Sequence, residues 1–120
     1  MAAETFTYSP KRLIAGADPD VVVRPGTVVA GQNLAQYTLL ESDAAGKWKI
    51  HAGGSNKVAG ILLNAVDATS ADQAAQAYIA GDFFADQIVW PAAGATTDLL
   101  KQKLVEGSMI ALTFLNTGEV

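Results

Sequence analysis

Few side chains in this chain could do chemistry. His51 is its single histidine. A zinc site built on two or three imidazoles is therefore excluded. A Ser-His-Asp set would need a serine presented on a G-x-S-x-G elbow, and no such sequence is present. His51 follows Trp48-Lys49-Ile50 in a strand-like stretch, where a packing or surface role is the simpler expectation. Asp82 and Asp86 could serve as acid and base if they faced each other across a cleft at about 5–10 Å. Nothing around them marks a cleft, and both read as solvated turn residues. Asp67 and Asp72 do not fit the D-x-[DN]-x-[DN]-G calcium loop, and Gly53-Gly54 lacks the pattern of a phosphate-binding loop. With no cysteine, the chain has no disulfide, thiolate nucleophile or thiolate-ligated metal. No catalytic, cofactor-binding or metal-binding residue is expected, and an enzyme is the least favoured class.

Charge and hydropathy narrow the field further. The net charge is −4, and between Val58 and Leu100 there are five aspartates and no lysine or arginine. Nucleic-acid binding needs clustered cations, which this half of the chain lacks. No apolar run reaches the roughly 18–20 residues that span a bilayer, and the N-terminus lacks a basic-then-apolar leader pattern. Half of the 120 residues are apolar, but many of these are alanine. One small domain is expected, with some apolar surface left for a partner.

The elements that would position these residues are mostly short strands. Val21–Arg24 is β-branched and stops at the turn signal Pro25-Gly26. Thr27–Ala30 follows, closed by Gly31-Gln32-Asn33. Tyr37–Leu40 and Trp48–His51 are further candidates, joined through an Asp43–Gly46 hairpin loop with glycine left-handed. Gly60–Val66 is the most apolar run and reads as a strand buried on both faces. Asp67–Ser70 is expected to turn. Ala74–Ala80 is alanine-rich, with Tyr78 and Ile79 leaning it toward strand, and Gln87–Trp90 is a strand cut off by Pro91. One helix is predicted after a Thr96 or Thr97 cap, with Asp98 in its first turn, Leu100 and Leu104 on one face, and Gly107 ending it. Met109–Leu115 is the last strand, with Ile110, Leu112 and Phe114 alternating onto one face. The fold class is thus β-dominated α+β: a single domain over 21–120, a helix near 97–106, and an extended arm over 1–20.

Aromatic residues mark two places. Trp90-Pro91 is the largest apolar anchor and suits either the core or a subunit interface. Phe6 and Tyr8 lie in the arm, in the strand-prone run Thr5–Tyr8 ended by Pro10. They read as anchors on a partner surface, or as a tail folded back on its own domain.

The ordered series of segments carries a resemblance. It comprises E-T-F-T-Y at Glu4–Tyr8, A-G-I-L at Ala59–Leu62 and D-A-T-S from Asp67. Tyr78, Gly81 and Phe83 follow in a Y-x-x-G-x-F arrangement, then V-W-P at Val89–Pro91. Together they resemble the head decoration proteins of lambda-like tailed bacteriophages, loosely so between Val21 and Asn56. The resemblance implies a non-enzymatic, β-tulip-like barrel without cofactors. It implies homotrimers on the outer surface of the expanded head, at three-fold and local three-fold positions, on virions assembled in the host cytoplasm. Their N-terminal arms would order on the major capsid protein, with neither nucleic acid nor membrane as a direct partner. The implied capsid-binding arm residues are Glu4, Thr5, Phe6, Thr7, Tyr8, Leu13 and Ile14. Ile61, Leu62, Tyr78, Phe83, Trp90 and Pro91 would pack the core or the trimer. Rival readings are a tail or baseplate module of a similar virus, a small trimeric hydrolase using Asp67, Asp72 or His51, and a ligand-binding barrel with one deep apolar pocket.

Overall fold

The computed structural model describes residues 13–16, 20–54, 56–92 and 95–114. In chain order these form β1 (Ile14–Gly16), β2 (Val22–Val28), β3 (Gln32–Leu34), β4 (Leu39–Ser42), β5 (Trp48–Ile50), β6 (Gly60–Leu62), β7 (Val66–Ala68) and β8 (Gln73–Phe84). A 3-10 turn at Ala85–Gln87, the helix α1 (Asp98–Val105) and β9 (Met109–Thr113) complete the order. The expected β-dominated α+β class with one short helix is what the chain adopts.

The long strand β8 organises the fold. It runs antiparallel to β2, from Val22 opposite Ala80 to Val28 opposite Gln73. From β2 the sheet passes to β5, β4 and β6, and β6 returns to β8 with Ile61 opposite Tyr78. These five strands close a barrel. Closure pairs the edges that would otherwise template aggregation. Beyond the barrel, the C-terminal half of β8 carries β1 antiparallel, with Ile14 opposite Phe83. It also carries β9 parallel, from Ala80 opposite Met109 to Phe84 opposite Thr113. Strands β3 and β7 form a separate antiparallel pair.

Two apolar clusters sit on opposite faces of the strands that separate them. Leu39, Ile61, Phe83, Ile88, Val105 and Ile110 belong to one; Val28, Leu40, Trp48, Leu62, Ala68 and Ala77 belong to the other. Adjacent residues of β4 (Leu39, Leu40) and of β6 (Ile61, Leu62) fall in different clusters because side chains alternate along a strand. That is why G-I-L is continuously apolar: all three residues of β6 are buried.

Several elements depart from the sequence expectation. Pro25-Gly26 does not turn but lies inside β2. From Val22 to Thr27, β2 is paired only with β8, so Pro25 sits on an edge where no ladder donor is needed. Gly26 is required for packing: a Cβ there would lie 2.6 Å from the Trp48 ring. Gly31 does turn, at φ +96°, but Gln32 and Asn33 belong to β3 rather than to a loop. The Gly60–Val66 run is split between β6 and β7, and Asp67-Ala68 is strand, with Asp67 Oδ1 accepting from the Thr69 amide at 3.1 Å. Gly81, at φ +144°, lets β8 run through to Phe84. Gln87–Trp90 is not a strand; Val89 makes one isolated bridge to Thr38. Tyr37, expected to open a strand, instead adopts φ +68°, and β4 starts at Leu39.

The helix follows its signals. Thr97 Oγ1 accepts from the Leu100 amide at 3.2 Å, Asp98 lies in the first turn, and Gly107 adopts φ +85°. Its inner face is Leu104 and Val105, while Leu100 stays 37% exposed.

Candidate functional site

The residues that could do chemistry are dispersed by the fold. Asp82 lies on β8, where its Oδ1 accepts from the Thr113 hydroxyl at 2.9 Å and ties β9 to β8. It is strand rather than solvated turn, whereas Asp86 is exposed on the 3-10 turn. Asp72 accepts from the Ala30 amide and from Lys47 Nζ, the latter at 2.6 Å. These bonds hold Asp72 below, and Lys47 above, their ordinary titration ranges. Hydrogen bonds from the Thr69 hydroxyl and amide likewise lower Asp67. Among the described residues no three His, Cys, Asp or Glu side chains cluster as metal ligands. Nor is any helix long and apolar enough to cross a membrane.

One polar cluster is fully buried. His51 and Glu41 are each 1% exposed. The His51 ring bonds the backbone on both sides: Nε2 lies 2.8 Å from the Asn56 carbonyl, and Nδ1 accepts from the Gly53 amide at 2.9 Å. Glu41 Oε1 accepts from the Ala52 amide at 2.9 Å, and Oε2 from the Asn56 side chain at 2.8 Å. Lys49 Nζ stands 3.6 Å away with its stem partly exposed. Burial pushes the Glu41 carboxyl up, but these hydrogen bonds, with Lys49 nearby, outweigh it and hold it below the ordinary value. The cluster ties Ala52, Gly53 and Asn56 to Glu41 of β4 and to His51, the residue after β5. It has structural geometry, with every polar atom turned to backbone or amide, so the packing role expected for His51 is the one it takes. Glu41 was not legible as its partner. The only signal was a carboxylate two residues after Leu39 on the same strand face.

The residues expected to pack the core or the trimer differ in burial. Ile61, Leu62 and Phe83 are completely buried. Tyr78 is half-buried, its ring 5.3 Å from that of Phe83 at an interplanar angle of 53°. Trp90 is half-buried, its Nε1 donates to the Ala85 carbonyl at 2.8 Å, and Lys101 Nζ sits 5.6 Å above its ring. Pro91 beside it is buried.

Of the predicted arm, Glu4, Thr5, Phe6, Thr7 and Tyr8 lie outside the described residues. Leu13 and Ile14 are placed in the domain itself. Leu13 is buried in the Phe83 cluster, Ile14 packs against it on β1, and the Leu13 carbonyl accepts from the Phe84 amide at 2.7 Å. The described surface also exposes large apolar side chains: Val22 and Val23 on β2, Leu99 (74%) on α1 and Met109 (66%) at the start of β9. An open groove of about 540 Å³ runs between α1 and β9.

No curated protein sequence matches the chain significantly. The family model of bacteriophage lambda head decoration protein D matches residues 4–109, from the arm through the barrel and α1 to the first residue of β9. The closed barrel with its one short helix agrees with the fold which that resemblance implied. The chain belongs to the bacteriophage lambda head decoration protein D family, a family of structural capsid proteins rather than enzymes.

Proposed function

We propose that this protein is a cement of a phage head. In this reading it acts as a homotrimer on the outside of the expanded capsid, at three-fold and local three-fold positions. There it bridges neighbouring copies of the major capsid protein and resists the pressure of packaged DNA. The observation that carries the reading is the family match over residues 4–109. Selectivity for the expanded lattice follows if expansion creates the site, because a ligand stabilises the state it binds preferentially.

The arm is the proposed primary contact. Thr5–Tyr8 is strand-prone and alternates threonine with aromatics. Such a segment can add to a sheet edge, with backbone hydrogen bonds supplying affinity and Phe6 and Tyr8 setting register. Three arms on one trimer bind multivalently, so modest contacts sum to strong avidity. The root of the arm at Leu13 is anchored in the barrel, which supports a load-bearing role for what precedes it.

Co-sedimentation with undecorated heads tests the proposal. Binding to expanded heads alone, saturating at three copies per three-fold site, is the expected result. Binding to neither form, or equally to both, overturns it.

A further inference from the structure

We infer that, before it meets a capsid, the arm is stored on its own domain: residues 5–8 add as a strand to the open edge of β9, in the groove between β9 and α1. The docking goes beyond the capsid-decoration reading; its consequence, competition with the capsid for the same arm, rests on that reading.

The groove has a volume of about 540 Å³, and Leu99, Gln102 and Val105 of α1 and Ile110, Ala111 and Leu112 of β9 line it. Among the described residues β9 pairs with β8 alone, so its other edge faces the groove without a strand partner. Beside that edge, Leu99 in the first turn of α1 is 74% exposed. An open strand edge next to a large exposed apolar side chain invites pairing between copies, and folded proteins cover such edges with a segment of their own.

The arm starts where it can reach that edge. The Leu13 carbonyl accepts from the Phe84 amide, and Phe84 is in register with Thr113 on the other side of β8. A strand added outside β9 lies three strand spacings from β1, about 14 Å. From Tyr8 to Leu13 the chain spans up to about 17 Å when extended, so residues 9–12 reach across the end of β8. The approach comes from the C-terminal end of β9, because β1 is antiparallel and β9 parallel to β8. Residues 5–8 then run parallel to β9, with Phe6 beside Ile110 and Tyr8 beside Leu112. Ile110 and Leu112 belong to the face that α1 covers through Leu104 and Val105. The T-F-T-Y alternation therefore turns both aromatics toward α1 and Leu99, and leaves Thr5 and Thr7 on the face of Met109 and Ala111. Ordering the arm offsets most of what these contacts contribute. The docked strand thus adds little to the stability of the domain and can be displaced by a capsid edge.

The chain has no cysteine, so an introduced disulfide reports the docking. Thr5→Cys/Met109→Cys joins the expected neighbours in the full-length protein, and Thr5→Cys/Val22→Cys is the comparison. Met109 and Val22 are both exposed and lie on opposite sides of Ala80 of β8, with β1 and the arm root on the Val22 side. An undocked arm would therefore close the Val22 bridge at least as readily. In a glutathione redox buffer the Met109 bridge is expected to form within one chain, with an effective concentration at least about tenfold above that of the Val22 bridge. Equal bridges, or a preference for Val22, overturn the docking, and a Met109 bridge between two chains overturns storage within one chain. Oxidised, the Met109-linked protein is expected to bind expanded heads about a hundredfold more weakly than after reduction; undiminished binding while linked overturns the competition. Failure of the wild type to bind expanded heads overturns the capsid reading and leaves the bridge ratio to decide the docking alone.

Discussion

Removing the buried carboxylate of Glu41 should cost this domain a large part of its stability, and the loss should depend on pH in a defined direction. Glu41→Ala leaves the Ala52 amide and the Asn56 side-chain amide without their acceptors. Each such donor, if left unsatisfied, costs about 1–3 kcal/mol. Relief of the carboxylate's own desolvation offsets part of that. Breaking a buried charged network from one side costs about 3–5 kcal/mol in comparable cases; the low end, about 3 kcal/mol, is expected here because Lys49 remains in contact with water. Glu41→Gln should lose less, about 1–2 kcal/mol, since its carbonyl can still take the Ala52 amide and Asn56 can turn its own oxygen toward the new amine. Against a total stability of about 5–15 kcal/mol, both are measurable by urea unfolding. In the folded protein the Glu41 carboxyl titrates below its ordinary value of 4.5. Its contribution is therefore fully present above the unfolded value and is lost as pH falls through the folded one. The stability gap between wild type and Glu41→Gln should be widest at pH 7 and shrink on acidification to about pH 3. A gap for Glu41→Ala below about 1 kcal/mol at pH 7, or a Glu41→Gln gap that does not narrow with acid, would refute the assignment of Glu41 as the anchor of Ala52 and Asn56.

Other substitutions test other joints of the fold. Gly26→Ala places a methyl 2.6 Å from the Trp48 ring and should destabilise by about 1–3 kcal/mol through overpacking; an unchanged urea midpoint would contradict the close approach of β2 to Trp48. Thr97→Ala removes the side-chain acceptor of the Leu100 amide and should cost about 1 kcal/mol, read by the same unfolding curves. Deletion of residues 1–12 keeps Leu13 and β1 in place and should leave the melting curve intact. On the proposed reading its affinity for expanded heads should fall about a hundredfold, because multivalent attachment through the arms would be lost, and full-strength binding by this truncation would remove the arm from the mechanism.

How much of this was legible depended on whether a residue's neighbours in sequence were also its neighbours in space. The α1 signals Thr97, Asp98 and Gly107 act within one turn of themselves, and the structure uses all three as expected. The Asp43–Gly46 loop is equally local: Asp43 Oδ1 accepts from the Ala45 and Lys47 amides, and Gly46 adopts φ +83°. Pro25-Gly26 misled because its explanation is non-local. Pro25 is tolerated because β2 has one open edge there, and Gly26 is needed because Trp48, more than twenty residues on, packs against its α-carbon. The alanines of β8 hid the longest strand, since alanine has weak strand propensity and the pairing with β2, β6, β1 and β9 decides instead. Of the candidate site, Ile61, Leu62 and Phe83 were readable as apolar runs. Glu41 was not, because its partners Ala52 and Asn56 lie eleven and fifteen residues further along the chain.

The topology also bears on how a small barrel could carry mechanical load. Leu13, the first described residue, accepts a hydrogen bond from Phe84 of β8, and its side chain sits in the same cluster as Phe83. β8 in turn pairs with β1, β2, β6 and β9. Tension applied through residues 1–12 would meet β1 first, which pairs with β8 alone, and would reach the strand that pairs with four others through that short ladder and through the buried Leu13 side chain. β9 is secured to that strand a second time by the Asp82–Thr113 hydrogen bond, and α1 packs against the same cluster through Leu104 and Val105. On the proposed reading, a domain without disulfides holds its arm root less by the short β1 ladder than by the Leu13 side chain buried in the Phe83 cluster and by the Leu13 carbonyl bonded to the Phe84 amide, so that pulling the root free must expose apolar surface as well as break hydrogen bonds.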